Sequence, residues 1–226
     1  MIIITGASRG IGKYLLQTFI QNESNIIGIY HETKPEKYLN KYYKADVVSY
    51  LQIESLFKGL IERLEGINLI NCAGITYNAF MHKSDPDIWR KVIETNLIGT
   101  FNVIRVLLPI MRKQKYGRII NFSSVVGVKP TPGVSAYAAS KAALWGLTKS
   151  VASENASLNV TINNINLGYS ELGMIENVPE QFKNYIISQI PTGRLCTPQN
   201  IFNTVNYLIN TSYITGTSID LNGGLI

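Results

Sequence analysis

The chain opens with MIIITGASRGIG, residues 1–12, and this stretch decides the fold. A run of β-branched residues, Ile2–Thr5, passes through a glycine-rich turn into a helical pattern. Gly6 permits a tight turn, Gly10 lets the backbone approach an anion, and Gly12 allows close packing of helix on strand. A strand–turn–helix unit of this kind predicts that N–H groups at the helix N-terminus bind a pyrophosphate.

The rest of the chain alternates short β-branched runs with longer amphipathic stretches, which indicates βαβ units around a parallel sheet. We expect strands at Ile2–Thr5, Asn25–Tyr30, Tyr42–Ala45, Asn68–Asn71, Arg118–Phe122, Thr161–Asn166 and Ser218–Leu221. We expect helices to begin near Ile11, Tyr50, Pro86, Ser135, Glu180 and Pro198. No linker or internal repeat interrupts the pattern, so it predicts one α/β domain over residues 1–226, with a doubly wound, seven-stranded parallel sheet of the Rossmann type.

Composition restricts the class of protein. The 226 residues are 46% hydrophobic and 16% charged, which is a globular composition. The longest apolar segment, Leu97–Met111, is interrupted by Asn102, Arg105 and Pro109, so we expect no membrane span. The N-terminus lacks a signal-peptide pattern, and we therefore expect a cytoplasmic protein.

Cysteine content and charge exclude further classes. Cys72 and Cys196 are too few and too scattered for a disulfide framework or a metal site. The formal net charge of +6 comes from basic residues spread along the chain without interleaved aromatic residues. This distribution favours a generally basic surface over nucleic-acid binding, and an anionic substrate or partner is the alternative interpretation.

A second pattern, SAYAASKAALWGL at residues 135–147, adds proton-transfer chemistry. Tyr137 and Lys141 are four residues apart, so a helix places both side chains on one face. A fixed ammonium is expected to lower the pKa of the phenol from its usual value of about 10. A tyrosine tuned in this way gives a proton to a carbonyl oxygen and takes one from an alcohol. In many helices, however, the same spacing is only an exposed charge beside a half-buried ring.

These motifs resemble those of the short-chain dehydrogenase/reductase family, and the likeness extends from Met1 to the C-terminal SIDLNGG. The resemblance implies that Tyr137 is the catalytic acid/base and that Lys141 also binds the nicotinamide ribose. Ser124, thirteen residues before the tyrosine, matches the serine that binds the substrate oxygen, with Ser123 as its rival. Asn96 matches a helix asparagine that holds a water linking the lysine to solvent.

The resemblance also implies a nicotinamide cofactor and the residues that bind it. These are Gly6, Ser8, Arg9, Gly10, Ile11, Gly12, Tyr30, His31, Asp46, Val47, Asn71, Ala73, Gly74, Tyr137, Lys141, Gly168 and Ser170. Asp46 is placed against the adenine amino group, and it is also a candidate cap for the next helix. Cys72 replaces the second asparagine of the family's Asn-Asn-Ala-Gly segment.

The end of the second predicted strand bears on the choice of cofactor. An acidic residue there would bind the ribose 2′-hydroxyl of NAD(H) and repel a 2′-phosphate. The place holds Tyr30 followed by His31, and the acidic Glu32 comes two places late. Arg9 could meet a 2′-phosphate with help from His31 or Lys34. We therefore expect NADP(H), with NAD(H) as the alternative. Arg9 as a merely solvated turn residue is the competing interpretation.

The chain departs from the family pattern after the sixth predicted strand. Leu167 and Leu172 replace a proline and a threonine that help to order the nicotinamide, while Gly168 remains and Ser170 is a candidate substitute donor. Residues 169–192 correspond to a substrate lid. Its apolar residues suit either an acyl chain or packing on its own domain, and are Met174, Ile175, Val178, Phe182, Tyr185 and Ile186.

Within the family, the motifs most resemble those of 3-oxoacyl-acyl-carrier-protein reductases. We therefore expect reduction of a carbonyl compound, such as a 3-oxoacyl thioester on a carrier protein, to an alcohol (EC 1.1.1.-). A sugar, polyol or other small biosynthetic carbonyl compound is an alternative substrate, and a nicotinamide-binding regulator with little turnover is an alternative function. The resemblance also implies a homodimer or homotetramer paired through the helices Pro86–Met111 and Ser135–Val151.

Overall fold

The computed structural model describes residues 1–21, 25–129 and 131–226, and only the backbone of Met174 and Asn177. A seven-stranded parallel sheet forms its centre, in the order β3-β2-β1-β4-β5-β6-β7. The strands are β1 (Ile2–Thr5), β2 (Ile26–Tyr30), β3 (Tyr42–Lys44), β4 (Asn68–Asn71), β5 (Gly117–Ser124), β6 (Val160–Leu167) and β7 (Ser218–Leu221).

Helices pack on both faces of the sheet. They are α1 (Gly10–Ile20), α2 (Tyr50–Gly59), α3 (Pro86–Ile93), α4 (Gly99–Gln114), α5 (Ser135–Asn155), α6 (Glu180–Ser188) and α7 (Pro198–Asn210). One apolar core lies between the sheet and α2, α4 and α5, with Phe57 and Leu107 at its centre. A second core lies between the sheet and α1 and α7, with Leu16 and Val205.

The predicted fold class is confirmed, because the structure is a single doubly wound α/β domain. Five of the predicted helix starts agree with the structure, and α1 begins at Gly10 rather than Ile11. β5 and β6 extend beyond the predicted ranges at both ends. The predicted Pro86–Met111 helix is divided by a π-helical turn, Glu94–Ile98, between α3 and α4.

The sheet topology places the candidate residues on one edge. The order of strands reverses at β1, whose neighbours are β2 and β4. Ligands of doubly wound sheets bind in the crevice at such a switch point, outside the carboxyl ends of the strands. The turn after β1, the segment after β4 and the carboxyl ends of β5 and β6 therefore meet there.

The helical run Pro86–Gln114 has the length and apolar composition of a membrane span, and 39% of its most apolar window is buried in the fold. Val103, Leu107 and Met111 of this run are fully buried in the core beside the sheet. Arg105 lies on its exposed side. These contacts are those of a core helix, for which the same length and composition are common.

Candidate active site

The glycine turn between β1 and α1 is shaped by backbone that approaches closely. Gly6 has φ +63°, and a Cβ there would lie 2.8 Å from Cα of Ala73. A Cβ on Gly12 would meet the carbonyl oxygen of Gly6, so α1 rests directly on the turn. Neither position has room for a side chain, as the glycine spacing predicts.

The N-terminus of α1 has the charge and the donors that an anion needs. Arg9 lies at the N-cap with an exposed side chain, and the first turn of the helix carries no acidic residue. The partial positive charge of the helix end is therefore not neutralised by its own first turn. Ser8 and Ile11 on either side are half-buried. This backbone cradle fits the diphosphate of a dinucleotide.

The carboxyl end of β2 presents no acidic side chain. β2 ends at Tyr30, and His31 follows, with Nε2 3.8 Å from Oδ2 of Asp46. The prediction that Asp46 caps the next helix is wrong, because Ser49 is the N-cap of α2. Asp46 instead closes a short turn, in which its Oδ1 accepts from the backbone N–H of Val48 at 3.0 Å.

Two backbone segments complete the nucleotide side of the crevice. The backbone N–H groups of Cys72 and Ala73 both donate to Oγ1 of Thr5, at 3.2 and 3.1 Å, which ties the end of β4 to β1. Val47 is buried after β3, and its carbonyl oxygen accepts from Nδ2 of Asn102 at 2.9 Å. Both segments are thus fixed by side chains from neighbouring elements.

Asn71 is buried at the carboxyl end of β4. Its Nδ2 atom donates to Oδ1 of Asn121 on β5 at 2.9 Å. Its own Oδ1 atom is buried without a partner among the described residues. Gly74, three residues later, lies beside Lys141, whose Nζ atom would be 3.8 Å from a Cβ at Gly74.

Tyr137 and Lys141 meet Ser124 at the carboxyl end of β5. The buried Lys141 ammonium donates to the carbonyl oxygen of Phe122 at 2.5 Å and lies 5.5 Å from the centre of the Tyr137 ring. The hydroxyl of Ser124 is hydrogen-bonded to the Tyr137 phenol. Ser123 instead donates to the backbone carbonyl of Lys141 at 3.0 Å. Of the two candidate serines, Ser124 is therefore the one that faces the tyrosine.

The pKa of Tyr137 differs from the expectation that the Lys141 ammonium lowers it. Burial raises the pKa of Tyr137 to about 12, and the hydrogen bond with Ser124 offsets only part of that rise. Burial also lowers the pKa of Lys141 to about 8. The expectation is wrong for the protein alone, because desolvation dominates both groups and the ammonium is bound to the Phe122 carbonyl. Tyr137 is consequently a neutral proton donor at neutral pH.

Asn96 lies in the π-helical turn and is fully buried. Its Oδ1 atom accepts from the backbone N–H of Ile75 at 2.9 Å, and its Nδ2 atom donates to the Ile75 carbonyl at 2.9 Å and to Oγ of Ser140 at 3.0 Å. π-helical turns occur frequently at functional sites. The amide thus joins the segment after β4 to the helix that carries Tyr137 and Lys141.

Comparison with known proteins identifies this arrangement. The sequence model described as short chain dehydrogenase matches residues 1–183. The chain belongs to the short-chain dehydrogenase family. It is therefore an NAD(P)-dependent oxidoreductase (EC 1.1.1.-), and the family implies a nicotinamide cofactor.

Relatives within the family cover almost the whole chain. A 3-oxoacyl-[acyl-carrier-protein] reductase of Thermotoga maritima is 35% identical, over 99% of this chain and 96% of the relative. The crystal structure of a 3-oxoacyl-[acyl-carrier protein] reductase from Brucella melitensis has a TM-score of 0.88 at 29% identity, covering 99% of this chain and 90% of that one. A putative gluconate dehydrogenase from Agrobacterium tumefaciens has a TM-score of 0.89 at 25% identity, covering 100% and 95%. The chain thus resembles 3-oxoacyl-carrier-protein reductases, as its motifs predict.

This short-chain dehydrogenase differs from the family pattern after β6. Leu167 is buried in the core beside α1 and α7, and a Cβ on Gly168 would lie 2.8 Å from Cα of Asn222. The hydroxyl of Ser170 donates to the carbonyl oxygen of Leu172 at 2.8 Å, and the serine is buried. Its proton is therefore used within the loop, contrary to the idea that it replaces the missing threonine as a free donor.

The segment that is expected to form the lid contacts the glycine turn in this dehydrogenase. A Cβ on Gly10 (φ +48°) would lie 3.1 Å from Cα of Gly173, so the two backbones are adjacent. In α6, Ile186 packs with a small cluster around Val125 and Ile190, whereas Phe182 is exposed. The predicted apolar face is thus divided between internal packing and solvent. The side chain of Met174, predicted on the same face, lies outside the described residues.

An open cleft that the sequence patterns did not indicate lies between the segment after β5 and the start of α5. Its volume is about 450 Å³, and its lining is mainly apolar. The lining residues are Val126, Val128, Lys129, Thr131, Pro132 and Ala138. In the sequence, Val126 follows Ser124 by two residues and Ala138 follows Tyr137 directly. The run VVGVKPTPG in the sequence, apolar and rich in proline and glycine, is the signal that could have found it.

Proposed function

We propose that this protein is an NADP(H)-dependent reductase that converts 3-oxoacyl thioesters, carried by an acyl carrier protein, to the 3-hydroxyacyl compounds. The hydrogen bond between Ser124 and the Tyr137 phenol, beside the Lys141 ammonium, carries this proposal. The likeness to the Thermotoga maritima and Brucella melitensis reductases supports the substrate class. The net charge of +6 supports an acidic carrier as the partner.

The chain's own residues account for the proton transfer. Bound NADPH would supply the hydride. The neutral phenol of Tyr137 holds the proton that the carbonyl oxygen needs, and the raised pKa keeps this proton in place at neutral pH. Ser124 donates a second hydrogen bond to the same oxygen. The Lys141 ammonium, fixed by Phe122, stabilises the phenolate that forms.

The residues at the nucleotide end support NADP(H) over NAD(H). The cradle of Gly6, Gly10 and Gly12 fits the diphosphate, and β2 ends at Tyr30 and not at an acidic residue. The carboxylates nearby are Glu32, two residues later, and Asp46, which lies 3.8 Å from His31. Arg9 is exposed beside this place and free to turn toward an anion. His31 is drawn toward Asp46, so Arg9 is the main cation that we assign to the 2′-phosphate.

The first experiment is fluorescence titration with NADPH and NADH, followed by an assay of NADPH oxidation with 3-oxoacyl thioesters and small ketones. We expect tight binding of NADPH, weak binding of NADH and turnover that is lost in Tyr137→Phe, which keeps the ring but removes the proton. Tyr213→Phe, a fully exposed tyrosine after α7, is the matched control and should keep its activity. Tight cofactor binding without turnover would support the regulator instead.

A second candidate is the reduction of a keto-sugar acid to its hydroxy acid, or of a sugar to a polyol. The fold likeness to a putative gluconate dehydrogenase favours it, and Lys129 and Thr131 give the cleft polar groups for hydroxyl or carboxylate recognition. A panel that contains both thioesters and keto-sugar acids separates the two. A higher kcat/KM for the sugar acids would replace the thioester proposal.

We also propose the homodimer or homotetramer that the family resemblance implies, formed through the helices Pro86–Met111 and Ser135–Val151. Ile98, at the end of the π-helical turn, and Phe101, in the first turn of α4, are 42% and 44% exposed, and they offer apolar surface for this pairing. Light scattering should give a dimer or tetramer mass, and Phe101→Ser should lower it. A monomer mass for the unmodified protein would contradict the pairing. A cytoplasmic location stays a prediction.

A further inference from the structure

The turn of α5 that carries Lys141 is tied to the sheet by a chain of polar side chains. Ser123 on β5 donates to the Lys141 carbonyl at 3.0 Å. One turn later, Nε1 of Trp145 donates to Oγ of Ser123 at 3.2 Å and to Oδ1 of Asn166 on β6 at 3.1 Å. Asn166 in turn donates through Nδ2 to Oδ1 of Asp220 on β7 at 2.8 Å. Hydrogen bonds thus run without a break from the β7 carboxylate to the backbone of the lysine.

The polar side chains of this chain of hydrogen bonds lie between α5 and the sheet, where apolar side chains would stabilise the fold equally well. Ser123 and Asn166 are 3% and 1% exposed, and burial of a polar side chain is unfavourable unless its hydrogen bonds are made. A net hydrogen bond contributes only about 1 kcal/mol to stability. A polar contact differs from an apolar one because hydrogen bonds are directional. They therefore fix the position of the helix along the strands.

The position of this turn matters because consecutive residues of β5 hold both parts of the catalytic pair. The Phe122 carbonyl accepts from the Lys141 ammonium, and the Ser123 hydroxyl binds the Lys141 carbonyl. The next residue, Ser124, is hydrogen-bonded to the Tyr137 phenol. A shift of the helix turn against β5 would therefore move the ammonium relative to the phenol.

We propose that Trp145 is a positioning residue for proton transfer: its indole N–H fixes the Ser123 hydroxyl and thereby the turn of α5 that presents Lys141 to Tyr137. This role rests on the proposed reductase function, in which Lys141 stabilises the phenolate. The role also affects the pKa of Lys141, which can be measured without turnover, because the same turn determines the surroundings of the ammonium. Cys72 after β4 and Tyr137 on α5 are the titratable groups that face this ammonium.

Trp145→Phe tests the role, since it keeps the aromatic ring and removes the N–H donor. Thr148→Val is the matched control on the same helix. Thr148 is buried, donates to Oδ1 of Asn164 on β6 at 2.7 Å and accepts from Nδ2 of Asn121 on β5 at 3.2 Å. The control therefore removes a polar tie between α5 and the same two strands, but at a turn that does not hold Lys141.

Two readouts are measured for each variant. The first is steady-state reduction, in which we expect Trp145→Phe to lower kcat about tenfold or more, with KM for the carbonyl substrate changed less than about twofold. The second is NMR titration of the Lys141 side chain, assigned by its loss in Lys141→Met. Its midpoint, about 8 in the unmodified protein, should move upward in Trp145→Phe as the ammonium gains solvent. Thr148→Val should lower the melting temperature and leave both readouts unchanged.

The outcomes separate this proposal from the proposed function. An unchanged kcat and an unchanged lysine midpoint in Trp145→Phe would overturn the positioning role, as would equal changes in Thr148→Val. If the unmodified protein reduces no carbonyl compound, the reductase proposal fails and the lysine titration alone decides the role of Trp145. Should Trp145→Phe fail to fold, Ser123→Ala breaks the same chain beside Lys141 and must give the same two shifts.

Discussion

Replacement of Gly12 by alanine tests how the first turn builds the cofactor site. Gly12 lies in the first turn of α1, and its missing side chain lets the helix rest on Gly6 and Ala7. A Cβ would meet the carbonyl oxygen of Gly6 and lie 3.1 Å from Cα of Ala7. These neighbours are backbone atoms, which cannot turn away as a flexible side chain could. The start of α1 must therefore move outward.

The size of the effect follows from two opposing terms. Alanine gains about 0.5–1 kcal/mol over glycine within a helix, because it loses less backbone entropy on folding. Forcing an extra methyl group into a packed site costs about 1–3 kcal/mol. We expect Gly12→Ala to lower the free energy of unfolding by about 1–2 kcal/mol. For a domain of this size, that corresponds to a fall of about 2–8 °C in the melting temperature.

Thermal unfolding and NADPH titration measure both consequences. The outward movement of α1 displaces the N–H groups that would hold the diphosphate, so the Kd for NADPH should rise about tenfold, equivalent to about 1.4 kcal/mol. Gly59→Ala is the control, because Gly59 ends α2 and a Cβ there has no neighbour within 4 Å. A Gly12→Ala protein as stable as the control, with unchanged NADPH binding, would refute the close-packing argument.

Two further predictions concern the catalytic pair. Ser124→Ala removes the hydroxyl at the Tyr137 phenol, and we expect kcat to fall about 100-fold or more while NADPH binding measured by fluorescence stays constant. Lys141 has a pKa of about 8 in the fold and 10.5 as its ordinary value, so the unfolded chain binds its proton more tightly between these limits. The stability of the protein relative to Lys141→Met should therefore rise with pH from about 8 to about 10, as measured by urea unfolding. A flat or falling difference would contradict the buried state of the lysine.

Local patterns predicted the strands and helices well because parallel strands in this fold are buried on both faces. β1 consists of three isoleucines and a threonine, all β-branched and all buried, and the glycine turn follows directly, so the sequence favours a strand. The four-residue spacing of Tyr137 and Lys141 likewise specified a shared helix face. These features depend on neighbours in the sequence, and the structure agrees with them.

The remaining features depend on burial and on contacts between distant segments. Asp46 has the side chain of a helix cap, but Ser49 lies at the position where α2 begins. The four-residue spacing shows that Lys141 is near Tyr137, but it does not show that both side chains are desolvated. Desolvation decides the directions of their pKa shifts. Nor does any local pattern predict the π-helical turn that directs Asn96 inward.

The contact between α5 and the sheet shows why a family motif alone describes this site incompletely. Residues of β5 and β6 that face α5 include Asn121, Ser123, Asn164 and Asn166, all buried and all hydrogen-bonded. Apolar side chains at these positions would hold the helix through buried apolar area. That area changes little when the helix slides by a small distance, because the hydrophobic effect is not directional. Hydrogen bonds weaken steeply once their geometry is lost, so a polar contact resists sliding even where it adds little stability. At Ser123 and Asn166, which hold the turn that carries Lys141, this resistance to sliding keeps the ammonium and the phenol in register, as the proposed proton transfer requires.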